Sequence, residues 1–403
     1  MAGRELSLLR AAHAHPGLTR AAAARMLNIS TGATTEIVTR LTAAELLSER
    51  PAPPTGTRGR PTRELTAHPS GPLVLACAIS NEHWRLDVVQ LGGESIATVG
   101  EPHAGADVAP DQDPDSAEQA NLPPSPSPSP SLSTSPADPV LAAIAAAVTR
   151  MRRRYGRRIR GLGVSAPGTI RDGHLLDAVN LGWHAVDLRK IWPTADLLVI
   201  GNDATLAAVA ESRRGAIRDA RLAVHLHIDA GLGGAVIAEG QVLTGAHGNA
   251  GEFGHMPFGD PALECPCGAR GCWGPAVDGS ELARLLQTPP PREPVTFAHE
   301  IITRAATGAP RESQALRTVA ATLGRGIAGL VNAFDPDIVT LSGLAAPILA
   351  ASPTPLRTAY QQGLMSYRRN SAPPLLPAAL ADNGPLIGAG EQVWDTLWPT
   401  LEA

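Results

Sequence analysis

The sequence predicts an α/β protein with a small helical module at its N-terminus, and three observations carry that prediction. Residues 1–65 alternate short helical patterns with turn signals and hold nine Arg against five Glu, a net of +4. From residue 73 onward, strand-like apolar runs alternate with Ala-rich helical stretches, the pattern of a mixed α/β body, and this remainder is net acidic at −8. A tract from Pro102 to Pro139 with ten Pro and seven Ser interrupts the body.

In the N-terminal module, Glu5–His13 forms a first helix and Leu18–Leu27 a second, with Thr19 as its cap. Ser30 caps a third helix running from Thr31 to about Leu47. Ile37 and Leu41 face the first two helices, which leaves Thr31, Gly32, Thr35, Thr39 and Arg40 exposed. This is the spacing of a helix-turn-helix, whose last helix enters the major groove with its first turn against base edges. Short hydroxyl side chains there reach bases or phosphates without steric cost. Arg50–Arg63 reads as a wing whose Arg58-Gly59-Arg60-Pro61 tip reaches the backbone or minor groove. The candidate DNA-binding residues are therefore Thr31, Gly32, Thr35, Arg40, Arg58 and Arg60, and the partner is a double-stranded DNA operator. Glu36 places a negative charge near that face, and a three-helix protein-interaction module is the alternative.

The body spans residues 72–403. After strand-like runs at 73–99, the Pro/Ser tract at 102–139 has too little apolar surface to offset ordering entropy and reads as a disordered insertion. A helix at about 139–154 follows, then strands Ile159–Ser165 and Leu197–Ile200 and a helix over Ala204–Arg213. Leu222–Ile228 and Ala235–Ala238 form a hairpin about Ala230-Gly231-Leu232-Gly233-Gly234. Val319–Phe334 is helical to Asp335-Pro336, and Ile338–Leu341 is a strand. Arg150–Arg160 reads as a solvated helix end, with a second DNA site as the alternative. Gly161-Leu162-Gly163-Val164-Ser165-Ala166 matches a dinucleotide fingerprint in spacing, but such a fingerprint must open a helix, and a turn follows here. Aromatics at 3% exclude a stacking platform for single-stranded nucleic acid. No apolar run approaches the ~18 residues of a membrane span and no secretory signal opens the chain, so the expected location is cytoplasmic, with no membrane partner.

Cys265, Cys267 and Cys272 fall within eight positions, and His255 lies ten before the first. Three thiolates and an imidazole suit a tetrahedral Zn²⁺ with no open position, hence a structural metal. Pro266, Gly268 and Gly271 supply the turns that close-spaced ligands need. Reduced thiols in a loop, or a redox pair, are the alternatives. Cys77 lies in an apolar run and reads as an inert core residue.

Gly248-Asn249-Ala250-Gly251-Glu252-Phe253-Gly254-His255, followed by Cys265-Pro266-Cys267-Gly268-Ala269-Arg270-Gly271-Cys272, resembles the signature of the ROK family (repressor, open reading frame, kinase). Ala166-Pro167-Gly168, Asn180-Leu181-Gly182-Trp183, Asn202-Asp203-Ala204 and Leu386-Ile387-Gly388-Ala389 support the resemblance, and residues 1–65 look like the winged helix that precedes this domain in the family's regulators. The resemblance implies a two-lobed, actin-like ATPase body with a sugar between its lobes. It implies sugar contacts from Asn202, Asp203, Glu252 and His255, with His255 also holding Zn²⁺ through its other ring nitrogen. In the kinases the position of Asp203 is the general base. Asn202 and Asp203 as helix caps, and Glu252 as a loop charge, are the plainer alternatives. A homodimer or higher homo-oligomer is expected, because winged helices read two half-sites and the family assembles through this body.

Departures from the family pattern point to a sugar-responsive repressor and away from an enzyme. The kinases carry an Asp-x-Gly-Gly-Thr phosphate loop where this chain reads Ala78-Ile79-Ser80-Asn81, and close approach to phosphate is hard without glycine. The second loop, Asp229-Ala230-Gly231-Leu232-Gly233-Gly234, opens with a carboxylate that repels phosphate. Asp203 then remains as a vestigial base, and a sugar kinase with an accessory N-terminal domain is the alternative reading. The family's Glu two residues after the last zinc Cys is Gly274 here, followed by Pro275. Losing a charge-assisted hydrogen bond of ~1.5–3 kcal/mol weakens sugar binding tenfold or more, so the effector differs from the usual hexoses or sensing is impaired.

Overall fold

The computed structural model describes residues 3–52, 63–103 and 135–401. Arg58, Arg60 and most of the Pro/Ser tract lie outside the described residues, but the tract's edges do not: Pro102 closes a strand and Ala137–Pro139 open a helix.

The N-terminal module has helices α1 (Gly3–Ala14), α2 (Arg20–Met26) and α3 (Thr31–Ala43), then an antiparallel ribbon of β1 (Leu47–Pro51) and β2 (Arg63–Ala67). The caps form as the sequence requires: Ala22 N donates to Thr19 Oγ1 and Ala33 N to Ser30 Oγ, both at 3.2 Å. Helix α3 ends four residues before the expected Leu47, because Glu45 adopts a left-handed turn and Leu47 starts the ribbon. Ile37, Val38 and Leu41 are buried, and Thr31, Gly32, Thr35 and Thr39 are exposed. The ribbon extends two residues past the expected module end at 65.

The body holds two five-stranded sheets of the same design. In the first, β3 (Leu73–Ile79), β4 (His83–Gln90) and β5 (Ser95–Pro102) form an antiparallel meander, and β6 (Ile159–Ala166) and β10 (Leu198–Asn202) extend it in parallel on the β3 side. Helix α4 (Ala137–Tyr155) precedes β6, and a small sheet of β7 (Thr169–Arg171), β8 (Leu175–Ala178) and β9 (Trp183–Asp187) comes between β6 and β10. Helix α5 (Asp203–Arg214) then crosses to the second sheet. There β11 (Leu222–Ile228), β12 (Leu232–Ala238) and β13 (Gln241–Val242) repeat the meander, and β14 (Ile338–Gly343) and β15 (Leu375–Pro377) repeat the parallel pair. Helices α6 (Gly279–Leu286), α7 (Pro294–Ala306), α8 (Pro310–Phe334), α9 (Ala345–Ala351) and α10 (Pro353–Gly363) cover this lobe. The last helix, α11 (Gly384–Leu397), returns to the first sheet beside α5. The same strand order used twice gives the two lobes.

Gly161 and Gly163 sit inside β6 and open no helix. A Cβ at Gly163 would lie 2.2 Å from Ala389 O, so this glycine admits α11 against the sheet. Close helix–sheet approach, rather than a cofactor, accounts for the Gly-x-Gly spacing. The Gly-rich turn after β11 is shorter than expected, since β12 already begins at Leu232; Gly233 leaves room for Ala204 at the start of α5. Cys77 is fully buried in β3, and burial pushes its thiol far above its ordinary range.

The module does not hang free of the body. Leu8, Leu9, Ile37, Val38 and Leu41 share one hydrophobic cluster with Val74, Ala76, Leu386, Val393, Trp394 and Trp398.

Candidate functional site

Between the lobes lies a cavity of about 460 Å³, reached by both sheets and by the start of α5. Asn202 ends β10 and caps α5: its Oδ1 accepts from Thr205 N and its Nδ2 donates to Gly168 O, both at 3.1 Å. Asp203 follows, only 9% exposed, and its Oδ1 accepts from Ala204 N at 2.7 Å. The capping alternative is therefore realised, yet both residues also line the cavity. Burial pushes the Asp203 carboxyl up to about 6, with His227 opposing and Asp229 adding to that rise. Glu252 and His255 come from the loop after β13, half-exposed on the cavity wall, with Glu252 Oε2 3.9 Å from His255 Nε2. All four sequence-expected sugar residues thus meet at one cleft.

Sequence reasoning missed several residues that line the same cavity. His227 reaches it from β11, with Nδ1 fixed 2.8 Å from Ser342 Oγ. Its neighbour two residues earlier, His225, lies wholly in the core between Thr340 and Ser342, where burial lowers its pKa to about 3. Only their alternation in a strand hinted at either role. Asp229 is half-buried at the turn, and desolvation raises its carboxyl. Asn81 N donates to Asp229 Oδ2 at 3.4 Å, and Asn180 Nδ2 donates to Ala230 O at 2.8 Å, so both bonds cross the cleft. Asp278 caps α6 through Oδ1 and also faces the cavity; burial raises its carboxyl to about 7. No Arg or Lys lines this cavity among the described residues. Gly274 is on its wall, where a Cβ would stand 3.2 Å from Leu232 N, so the missing side chain could return only with a small backbone shift.

His255, Cys265, Cys267 and Cys272 bring one ligand atom each to within 4.8 Å of one another. Cys265 Sγ is 3.8 Å from His255 Nδ1, and Cys267 Sγ is 3.7 Å from Cys272 Sγ. Tetrahedral ligands at ~2.3 Å from Zn²⁺ stand ~3.8 Å apart, so donor set and spacing both fit that ion. His255 offers Nδ1 to the thiolates and turns Nε2 toward Glu252.

The second place where chemistry converges is the seam between module and body. His13, at the end of α1, is 4% exposed and packs its ring against Trp394 and Trp398. Gly92 N donates to His13 Nδ1 at 3.1 Å, and Nε2 lies 3.2 Å from both Glu391 carboxylate oxygens and 2.7 Å from Arg214 Nη2. Arg214, the last residue of α5, donates from Nε to Glu391 Oε1 at 2.6 Å and from Nη1 to His13 O at 3.2 Å and Gly92 O at 2.9 Å. Burial alone would raise Glu391, but His13 and Arg214 outweigh it and hold its carboxyl down at about 2. Of the expected DNA residues, Thr31, Gly32 and Thr35 lie together on the first turns of α3, with Thr35 Oγ1 donating to Thr31 O. Arg40 differs. Its Nε is 2.9 Å from the buried Glu5, so its guanidinium ties α3 to α1 while the side chain stays half-exposed.

Comparison with known proteins follows these features. The ROK family description matches residues 128–395. The chain is 28% identical over 271 residues to a glucokinase of Streptomyces coelicolor, spanning 62% of this chain and 85% of that protein. It is 30% identical over 241 residues to the xylose repressor of Bacillus subtilis, spanning 58% of this chain and 61% of the repressor. Among solved structures, a ROK family transcriptional regulator homologous to the E. coli MLC protein superposes with a TM-score of 0.68 at 19% identity, covering 98% of both chains. A ROK family glucokinase from Streptomyces griseus in complex with glucose and AMPPNP superposes with a TM-score of 0.63 at 24% identity, covering 80% of this chain and 99% of that one. The two-lobed body is therefore the actin-like ATPase fold that the signature implied.

Proposed function

This chain belongs to the ROK family, and from that premise we propose that it is a DNA-binding transcriptional repressor whose operator affinity is set by a sugar bound between the lobes. One observation carries the reading: helix α5 begins in the cavity at Asn202-Asp203 and ends at Arg214, which grips His13 of the N-terminal module. At ~1.5 Å per residue this rigid helix of 12 residues spans ~18 Å, so a ligand that moves its first turn moves the module as well. A sugar that binds one arrangement more tightly than the other shifts operator affinity by that difference.

In this reading Asn202, Asp203, Glu252 and His255 contact the sugar hydroxyls, Thr31, Gly32 and Thr35 meet the major groove, and a structural Zn²⁺ on His255, Cys265, Cys267 and Cys272 holds the cavity wall. The ion supplies no reaction step; its chemistry is to fix the His255 tautomer so that Nε2 faces the cleft. Two copies read the two half-sites of an operator.

The kinase reading is favoured by the retained Asp203 and by the glucokinase relatives. It is opposed by Asn81 and Asp229, which present a side chain and a carboxylate where phosphate would need open backbone amides. Gel shifts on DNA flanking the coding sequence, with and without a panel of sugars, test the proposal together with ATP-consumption assays on the same panel. A sugar-dependent shift that Thr31→Glu and Thr35→Glu abolish is the expected result. ATP-dependent phosphorylation of any sugar, with no DNA shift, overturns it. Point variants serve better here than removal of residues 1–65, since that removal would uncover the shared hydrophobic cluster.

A further inference from the structure

Residues 150–160 hold seven Arg and no acid, more basic charge than any other stretch of comparable length. The end of α4 explains part of this: Arg152, Arg153 and Arg154 lie in its last turn, where cations complement the helix dipole. Arg157, Arg158 and Arg160 lie beyond that helix, where no such term applies. Among the described residues, none of the seven forms an ion pair with a carboxylate, whereas Arg171, Arg189, Arg221, Arg270, Arg284 and Arg304 of the body each do. Six of them are exposed. An unpaired cluster in an otherwise acidic body is a site of high positive potential.

Its position matters as much as its charge. Arg157, Arg158 and Arg160 share a surface groove of about 290 Å³ with Ala44, Glu45 and Leu46, which leave α3 and enter the ribbon. Arg158 Nε donates to Gly71 O at 2.9 Å, in the linker after β2. That linker is seated on the exit of α3, since a Cβ at Gly71 would lie 3.0 Å from Glu45 O. Arg152 is held over the Trp192 ring at 4.3 Å, which fixes one end of the run on the body. The cluster is therefore continuous with the module that carries Thr31, Gly32 and Thr35.

We propose that Arg150–Arg160 is a second phosphate-binding surface, gripping DNA backbone that flanks the site read by α3. This rests on the proposed DNA-binding function and extends its footprint from the module onto the body. Guanidinium groups suit the task because they present forked donors to phosphate oxygens and shed water readily. The contact is sequence-independent and therefore shows itself in salt dependence. The rival occupant is the acidic stretch of this same chain that holds Asp107, Asp111, Asp113, Asp115 and Glu118.

The test uses the full chain and fluorescence anisotropy with a random-sequence duplex about four helical turns long, over a salt series. Arg153, Arg157 and Arg160 are replaced together by Ser; all three are exposed, and a matching thermal melt verifies folding. Each phosphate contact contributes ~0.9 to the slope of log K against log salt, so the triple variant is expected to flatten that slope by ~2–3 and to weaken binding more than tenfold at ~0.1 M salt. An unchanged slope overturns the proposal, and is what the acidic stretch as occupant would give. Thr35→Glu separates the two levels. If it weakens binding while the Arg variant does not, the DNA reading stands and the second surface falls. If the wild-type chain binds no duplex in a salt-dependent way, the DNA reading falls and this inference with it.

Discussion

Replacing Asp203 by Asn should stabilise the fold near neutral pH while removing sugar response. The carboxyl is buried, and its pKa of about 6 in the fold exceeds the ~3.9 of an unfolded chain. For an acid whose pKa rises on folding, the unfolded state loses its proton first, so the penalty is absent below ~3.9 and complete above ~6. The gap corresponds to ~3 kcal/mol at pH 7.5 and ~1 kcal/mol at pH 4.5. Asn keeps the Oδ1 that accepts from Ala204 N, and the Asn202 cap is untouched, so the charge alone is removed. Urea unfolding of wild type and Asp203→Asn at the two pH values reads the difference directly. A gain at pH 7.5 that shrinks to about a third at pH 4.5 is the expected outcome. No gain at pH 7.5, or the same gain at both, would show that the buried carboxylate is not the strained group described above. A residue kept at such a cost points to a ligand that repays it, so sugar binding by the variant should fall by tenfold or more, consistent with a lost charge-assisted bond of ~1.5–3 kcal/mol.

Other outcomes follow from the same structure. Arg214→Ala should leave sugar binding and operator binding measurable one at a time, yet reduce the effect of sugar on the operator shift; an undiminished effect would remove α5 as the link. Because Glu391 is held at about 2 against its ordinary 4.5, the seam is intact above about 4.5 and lost as pH falls toward 2, at a cost of up to ~3 kcal/mol, which the fluorescence of Trp394 and Trp398 should report. Protein purified without chelator should carry about one Zn²⁺ per chain, and Cys272→Ser should lower both metal content and melting temperature. Gly163→Ala should destabilise by ~2–3 kcal/mol by forcing α11 off the sheet, measured by the same urea unfolding.

The sequence was most informative where local chemistry decides structure. Thr19 and Ser30 announced two helix starts, and the Cys-rich loop announced a metal set whose four ligand atoms do converge. It was least informative where residues far apart meet. Nothing local marks His13 as a partner of Glu391, which lies 378 positions away. Asp229 was legible as an obstacle to phosphate, but not as a bridge to Asn81 across the cleft. The ion pair of Arg40 with Glu5 was illegible for the same reason, since only the tertiary approach of α1 brings that carboxylate to α3. The end of α3 was overrun because apolar Leu46 and Leu47 continue a helical pattern, and the ribbon that claims them is a nonlocal pairing with Ala67 and its neighbours.

The hydrophobic cluster that joins α1 and α3 to α11 has a further consequence, for inheritance and engineering. Module and body share that cluster, so separating them exposes apolar surface on both, and the module cut from the body is expected to melt at a lower temperature than the full chain. A designer who wishes to graft this module onto another protein must carry Trp394, Trp398 and Glu391 with it, because the partners of His13 are encoded near the far end of the chain.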